Sequence, residues 1–279
     1  MTEIKVTMIN NLHDLLDTVM RANQLSLTEV WWRGHAMEEW NLLPHIWRPK
    51  TGEALTLDQQ LQLERNLTIR FLHGATTRHP HWPEEDHSVQ LAMMQHYGLP
   101  TRLLDWTESP LFALFFAVRE REYEMHDGAL WALIPIGLNV EEFGLPMLLS
   151  PHTDSAKDLF KAPFGVAETA PEKNAAVVVR HVDARMSVQL SAFTIHGSQA
   201  PLERMKNNHK YLMKYVVPAK KKGTLRLQLS DLGIREASLF PDLEHLAQEL
   251  KIMTQDGRIR GNVPSEHYNV EQDGPPDRR

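Results

Sequence analysis

The stretch LAMMQHYGLPTRLLDWTESPLFALFFAV, residues 91–118, decides how the whole chain is read. Two apolar runs flank a short centre holding Gly98, Pro100, Arg102, Asp105, Trp106, Thr107 and Ser109. The first run reads as a helix beginning at Asp86 or Ser88. Gly98 can close it in the left-handed conformation that favours glycine, and Pro100 prevents its resumption. Leu103 to Trp106 is short and apolar enough for a buried strand. Ser109-Pro110 then starts a second helix, by a hydroxyl cap followed by proline in the first turn, over 110 to about 122. That helix is apolar nearly all round until Arg119, so its first two turns belong in a core. A plain core segment has no need of the arginine, the aspartate and the two hydroxyls at this junction.

Working outward, Ile4, Val6 and Met8 alternate as a short strand, and Asn11 caps a helix through about Met20. Val30, Trp31 and Trp32 read as a strand running into Arg33-Gly34. Residues 56–73 have helical spacing at Leu57, Leu61, Leu67 and Phe71, and residues 79–87 are a loop. Asp127-Gly128 turns into the strand ALWALIP. Residues 137–174 hold short elements and loops. Further strands fall at 175–179, 192–196 and 211–217, and helices at 223–232 and 241–252. Neither a repeat nor a linker divides the chain. The expectation is one α+β domain over residues 1–252, followed by a disordered polar tail over 253–279.

Composition narrows the classes. The 279 residues are 42% hydrophobic and carry a formal charge of −6, which argues against a broad nucleic-acid footprint. The absence of cysteine excludes disulfides and thiolate metal sites. No apolar run reaches the ~18 residues of a membrane span, and MTEIKVTMINN lacks the pattern of a signal peptide. The expectation is a soluble, cytoplasmic protein with no membrane partner. His79, His81 and His87 lie in a loop with no second cluster, so no metal site is expected. Lys220-Lys221-Lys222 reads as a solvated turn. Walker A, GxGxxG and G-x-S-x-G motifs are absent.

Two groups of residues carry chemistry. Arg33 ends an aromatic strand, and its planar fork suits phosphate oxygens; Gly34 lets a ligand or another backbone approach closely. Asp105 and Thr107 share one strand face, and Thr107 and Ser109 precede a helix N-terminus that favours an acceptor or anion. The plainer reading makes Arg33 half of a structural ion pair, Ser109 a cap and Asp105 a partner of Arg102. Either way Asp105 needs a partner, because burying an unpaired carboxylate costs several kcal/mol.

These residues resemble the FRG domain family, named for a (Phe/Tyr)-Arg-Gly motif that appears here as Trp32-Arg33-Gly34. The resemblance continues through WNLLPHIWRP (40–49), MQHYGLPTRLLDWTESPLFALFFAV (94–118), RMSVQLSAFTIH (185–196) and SLFPDLEHLAQELK (238–251), and spans roughly residues 4–252. The layout is also similar to that of ADP-ribosyltransferases: Arg-Gly on an early strand, then a hydroxyl-bearing strand end leading into an Ala-x-x-Phe-Ala helix, here Ala113 to Ala117. This second resemblance implies a mixed, mostly antiparallel split β-sheet core flanked by helices. It also implies NAD as co-substrate, held by Arg33, Gly34, Arg102, Thr107 and Ser109. Arg33, Thr107, Gln189 and Asp105 would be the catalytic set. Gln189 stands where that family has a catalytic glutamate, so Asp105, Glu168 or Glu172 would have to supply the negative charge. The implied function is mono-ADP-ribosyl transfer to a protein or nucleic-acid acceptor, or NAD hydrolysis, by a toxin or phage-defence effector. The alternative is a non-catalytic nucleotide- or protein-binding module.

Overall fold

Trp31 and Trp32 are both buried, although neighbouring side chains on a strand point to opposite faces, so the sheet holding them is covered on both sides. The computed structural model describes residues 7–26, 28–48, 55–79, 82–83, 85–165, 172–181, 184–255, 257 and 259. In chain order the elements begin with β1 (Thr7–Met8), α1 (Leu12–Leu25), β2 (Trp31–His35), α2 (Leu57–Ala75) and α3 (His87–His96). Next come β3 (Leu103–Thr107), α4 (Pro110–Val118), β4 (Gly128–Leu133), α5 (Pro135–Phe143), α6 (Lys157–Lys161) and β5 (Asn174–Val177). The chain continues through α7 (Ala184–Val188), β6 (Ser191–His196), β7 (Leu212–Val217), α8 (Ala219–Asp231), α9 (Glu236–Leu239) and α10 (Leu243–Gln255).

Among the described residues the seven strands form one mixed sheet in the order β1-β7-β4-β2-β3-β6-β5. β1 runs parallel to β7, and the remaining neighbours are antiparallel. In place of the expected split core there is a single sheet with a seam. β2 pairs with β4 at five positions but with β3 only through Trp32 and Thr107. On one face, Trp32, Leu130 and Val217 pack with Ala113 and Ala117 of α4 and Leu225 of α8. On the other, Trp31 and Trp131 pack with Leu133, Leu138 and Tyr211. A third cluster joins Leu103, Phe193 and Ile195 to Leu91 and Met94 of α3 and Phe160 of α6.

Local signals explain most boundaries. Asn11 caps α1 by accepting from the Asp14 N–H at 3.0 Å, and α1 extends past Met20 to Leu25. Asp86 caps α3 and Ser109 caps α4, with Pro110 in the first turn. α4 stops at Val118, where the apolar run ends, and not at about residue 122 as expected. Gly98 has φ +79°. Its N–H reaches the Gln95 carbonyl at 2.9 Å and the Leu99 N–H reaches Met94 at 3.0 Å, the paired bonds of a Schellman ending. Gly98→Val should therefore lower stability by more than ~1 kcal/mol, since a β-branched residue is penalised at positive φ although nothing lies within 4 Å to clash. Thermal melts with an unchanged midpoint would refute this.

Two sequence readings need correction, and a third needs completing. The helix spaced on Leu57, Leu61, Leu67 and Phe71 forms as α2, with Leu61 and Leu67 packed against Leu43, Ile46 and Trp47 and Phe71 against the α3 cluster. Leu57 is exposed, however, and the most deeply buried side chains are the polar Gln60, Glu64 and Thr68. Lys222 is not solvated. It lies in the first turn of α8, fully buried, and Nζ donates to the carbonyls of Ala36 at 2.6 Å and Tyr123 at 2.8 Å. Its burial is the main cause of a lowered pKa. The last helix runs to Gln255, three residues into the segment read as a tail. Residues 260–279, most of that segment, lie outside the described residues, as do Ile4, Val6 and His81. No helix among the described residues is long and apolar enough to cross a membrane.

Candidate functional site

The seam between β2 and β3 makes the site. Beyond the Trp32–Thr107 pair the two strands no longer hydrogen-bond to each other, and a cavity of about 540 Å³ opens there. Alternation along β2 turns Trp32 and Gly34 to the α4 side and sets Arg33 and His35 together on the other. Arg33 reaches across the gap, and its Nη1 donates to the Asp105 carbonyl at 2.5 Å. The guanidinium thus satisfies a β3 carbonyl that the backbone of β2 does not reach. Arg33 Nε donates to His35 Nε2 at 3.0 Å, and His35 Nδ1 lies 3.1 Å from the Trp40 carbonyl.

Asp105 stands beside this arrangement, with its Oδ2 4.0 Å from Arg33 Nη1. The carboxylate is half-exposed, so it does not meet the full cost of burial. Gln95 Nε2 donates to the same Oδ2 at 2.7 Å, and the Thr101 hydroxyl donates to Gln95 Oε1 at 2.6 Å. A carboxylate oxygen accepts, so Gln95 turns Nε2 toward Asp105 and leaves Oε1, which can only accept, to the Thr101 hydroxyl; Thr101 Oγ1 in turn accepts from the Leu103 N–H at 3.1 Å. Asp105 therefore has partners, but Arg102 is not one of them.

Charge in the cavity is unevenly spread. Arg48 shares the lining with Arg33 and Asp105. Burial pulls the Arg33 guanidinium down to about 10, with Asp105 opposing, and it stays charged at neutral pH. Burial also lowers Arg48, again against Asp105. His35 is held well below the usual histidine range by burial and then by Arg33, so it is neutral. Arg33, Arg48 and Asp105 act on one another, and this group of two guanidiniums and one carboxylate favours an anionic ligand group. Arg185, Glu39, Glu120 and the half-exposed Trp40 also line the cavity.

The cavity brings together Arg33, Gly34, Asp105, Thr107 and Gln189 of the sequence candidates. Arg102 and Ser109 are not in its lining. Arg102 is fully buried and grips Glu64 of α2 through Nε to Oε1 at 2.9 Å and Nη2 to Oε2 at 2.5 Å. Ser109 Oγ accepts from the Phe112 N–H at 3.3 Å as the α4 cap. Thr107 Oγ1 donates to the Gln189 carbonyl at 2.7 Å and accepts from the Ser109 N–H at 3.0 Å, so its hydroxyl already has two partners. Gln189 Nε2 donates to the Leu239 carbonyl at 3.0 Å, tying the wall to α9. Glu172 lies outside the lining, and Glu168 lies outside the described residues.

Sequence reasoning missed His35, Arg48, Gln95 and Thr101. His35 could have been found, because it is two residues from Arg33 on a strand and must share its face. Gln95 and Thr101 are polar residues next to a helix end, and nothing local distinguishes them from solvated ones. Among the described residues no group of three or more His, Asp or Glu is placed to hold a metal ion.

A seven-stranded mixed sheet whose central seam opens onto a guanidinium and a carboxylate defines an α+β protein with a polar cavity at that seam. The chain carries an FRG domain: residues 28–126 match the model of that family. The match runs from just before β2 to just before β4, so Arg33, His35, Arg48, Gln95, Asp105 and Thr107 lie inside it. Gln189 lies beyond it. No curated protein and no solved structure matches the chain, so the likeness to ADP-ribosyltransferases rests on the sequence pattern alone.

Proposed function

We propose that this FRG-domain protein binds NAD in the seam cavity and breaks its N-glycosidic bond, passing ADP-ribose to an acceptor group or to water. The reading is carried by one observation: Asp105 presents a half-exposed carboxylate beside the charged fork of Arg33 in the cavity wall. Arg33, supported by Arg48, suits the diphosphate. As the bond between the ribose C1′ and the pyridinium nitrogen breaks, nicotinamide leaves with the electron pair, and C1′ becomes oxocarbenium-like. A carboxylate stabilises such a centre, as in glycoside hydrolysis, and Asp105 supplies the charge that Gln189 lacks. The nucleophile, water or an acceptor group, then bonds to C1′ and releases its proton to solvent. A toxin or phage-defence role would be the cellular expression of that turnover.

The second reading, a non-catalytic binding module, draws support from the tethers of the Thr107 hydroxyl and the Gln189 amide nitrogen, both of which already have partners. Calorimetry with NAD, run beside nicotinamide release and labelled-NAD transfer, separates the two. Arg33→Lys keeps the charge but loses the fork, so at least a ~10-fold loss of NAD affinity is expected with the fold retained by circular dichroism. Asp105→Asn should bind NAD and fail to turn it over. Wild-type binding without turnover favours the module. Neither binding at millimolar NAD nor consumption of it would end the NAD reading.

A further inference from the structure

We infer that His35 is a positioning residue, held in the Nδ1–H tautomer so that its bare Nε2 aims the Arg33 guanidinium across the seam. The inference deepens the ligand reading above and rests on it only for what Arg33 then binds. The hydrogen-bond inventory fixes the tautomer. Arg33 Nε can only donate, so His35 Nε2, 3.0 Å away, must accept. The Trp40 carbonyl can only accept, so Nδ1, 3.1 Å from it, must carry the proton. The ring is buried, packed edge-on against Trp40 at 6.1 Å and Trp131 at 6.4 Å between centroids.

The consequence lies in what Arg33 can do. Nε is anchored to His35 and Nη1 to the Asp105 carbonyl, so two edges of the planar fork are fixed and Nη2 has no protein partner among the described residues. A side chain with four rotatable bonds is thereby ordered before any ligand arrives, which removes an entropic cost from binding. The charged groups acting on His35 are Arg33 on its own strand, Arg48 after the short turn His45–Trp47, and Lys214 on β7. Lys214 is itself paired with Glu38 at 3.1 Å. All three cations oppose a second proton on the ring, and burial opposes it more. A protonated His35 would lose its acceptor and set two like charges together.

The test uses the full chain labelled with ¹⁵N at histidine and arginine. The expected spectrum shows His35 with a protonated Nδ1 and an unprotonated Nε2, and a slowly exchanging Arg33 Nε–H. His35→Phe keeps the ring volume and removes the acceptor, so Arg33 Nε–H should exchange fast. His35→Gln offers a carbonyl oxygen near the same place and should restore slow exchange. In calorimetry with NAD, His35→Phe should bind at least ~10-fold more weakly than wild type, with His35→Gln recovering most of the loss. A protonated Nε2 overturns the inference, and so does slow Arg33 exchange or full NAD affinity in His35→Phe. If the wild type binds no NAD yet His35→Phe frees Arg33 and His35→Gln restores it, the positioning role stands and the ligand reading is what fails.

Discussion

Gly34→Ala is expected to unfold the protein or lower its melting temperature steeply, before any question of ligand affinity arises. The glycine reads in sequence as room for a ligand or for another backbone. In the structure the space over its Cα is taken by helix α4. A Cβ built there would overlap the Ala113 carbonyl oxygen and lie 2.7 Å from the Ala117 nitrogen. Both are backbone atoms of a helix, so no side-chain rotation relieves the contact. Ala113 and Ala117, one turn apart and both fully buried, are the matching small residues on the helix side. β2 and α4 are thus pressed together at backbone contact, and α4 also packs on β4, β3 and α8. Overpacking commonly costs 1–3 kcal/mol, and a rigid backbone clash at the centre of the sheet belongs at or above ~3 kcal/mol. That is a large part of a typical stability of ~5–15 kcal/mol, and roughly a 6–12 °C drop in melting temperature. Thermal melts followed by circular dichroism decide it. A Gly34→Ala protein that melts with the wild type and loses only NAD binding would show that the glycine serves the ligand and not the helix.

Gly34 also shows where sequence stops being enough. That a glycine after Arg33 permits close approach is legible from the residue alone; which object approaches depends on a helix almost 80 residues on. The junction from Leu91 to Val118 was readable because its signals are local: a positive-φ glycine, a hydroxyl cap, and proline in the first turn. The seam was not readable. It results from β2 pairing fully with β4 and only once with β3, a matter of register between distant segments. The polar stripe of α2 misleads for a related reason. Gln60, Glu64 and Thr68 recur every fourth residue, as a solvated face would, and hydropathy favours the leucines. Each member is met by a partner that the local pattern does not announce: Glu64 by the buried Arg102, Gln60 by Gln199, and Thr68 by the Glu64 carbonyl.

Breaking that pair gives the second large effect. Arg102 and Glu64 are both buried and joined by parallel bonds from Nε and Nη2, with the guanidinium also 5.7 Å from the centre of the Trp47 ring. Removing one partner strands the other charge where water cannot reach it, a cost of about 3–5 kcal/mol. Arg102→Met should therefore lower the melting temperature by roughly 6–20 °C, and Glu64→Leu by a similar amount. The double variant Glu64→Leu with Arg102→Met leaves no stranded charge. It should recover much of the loss, because replacing a whole buried pair by apolar side chains of similar size is often close to neutral. The cycle separates two roles for Arg102. A ligand-binding arginine would leave the melt of Arg102→Met unchanged and weaken NAD binding, and the double variant would bind no better. A structural arginine gives the reverse: each single variant melts early, the double variant is restored, and NAD affinity in the restored protein matches wild type because Arg33 and Asp105 have not moved. Additive single losses, with no recovery in the double variant, would mean that the two charges do not depend on each other and that the contact is incidental.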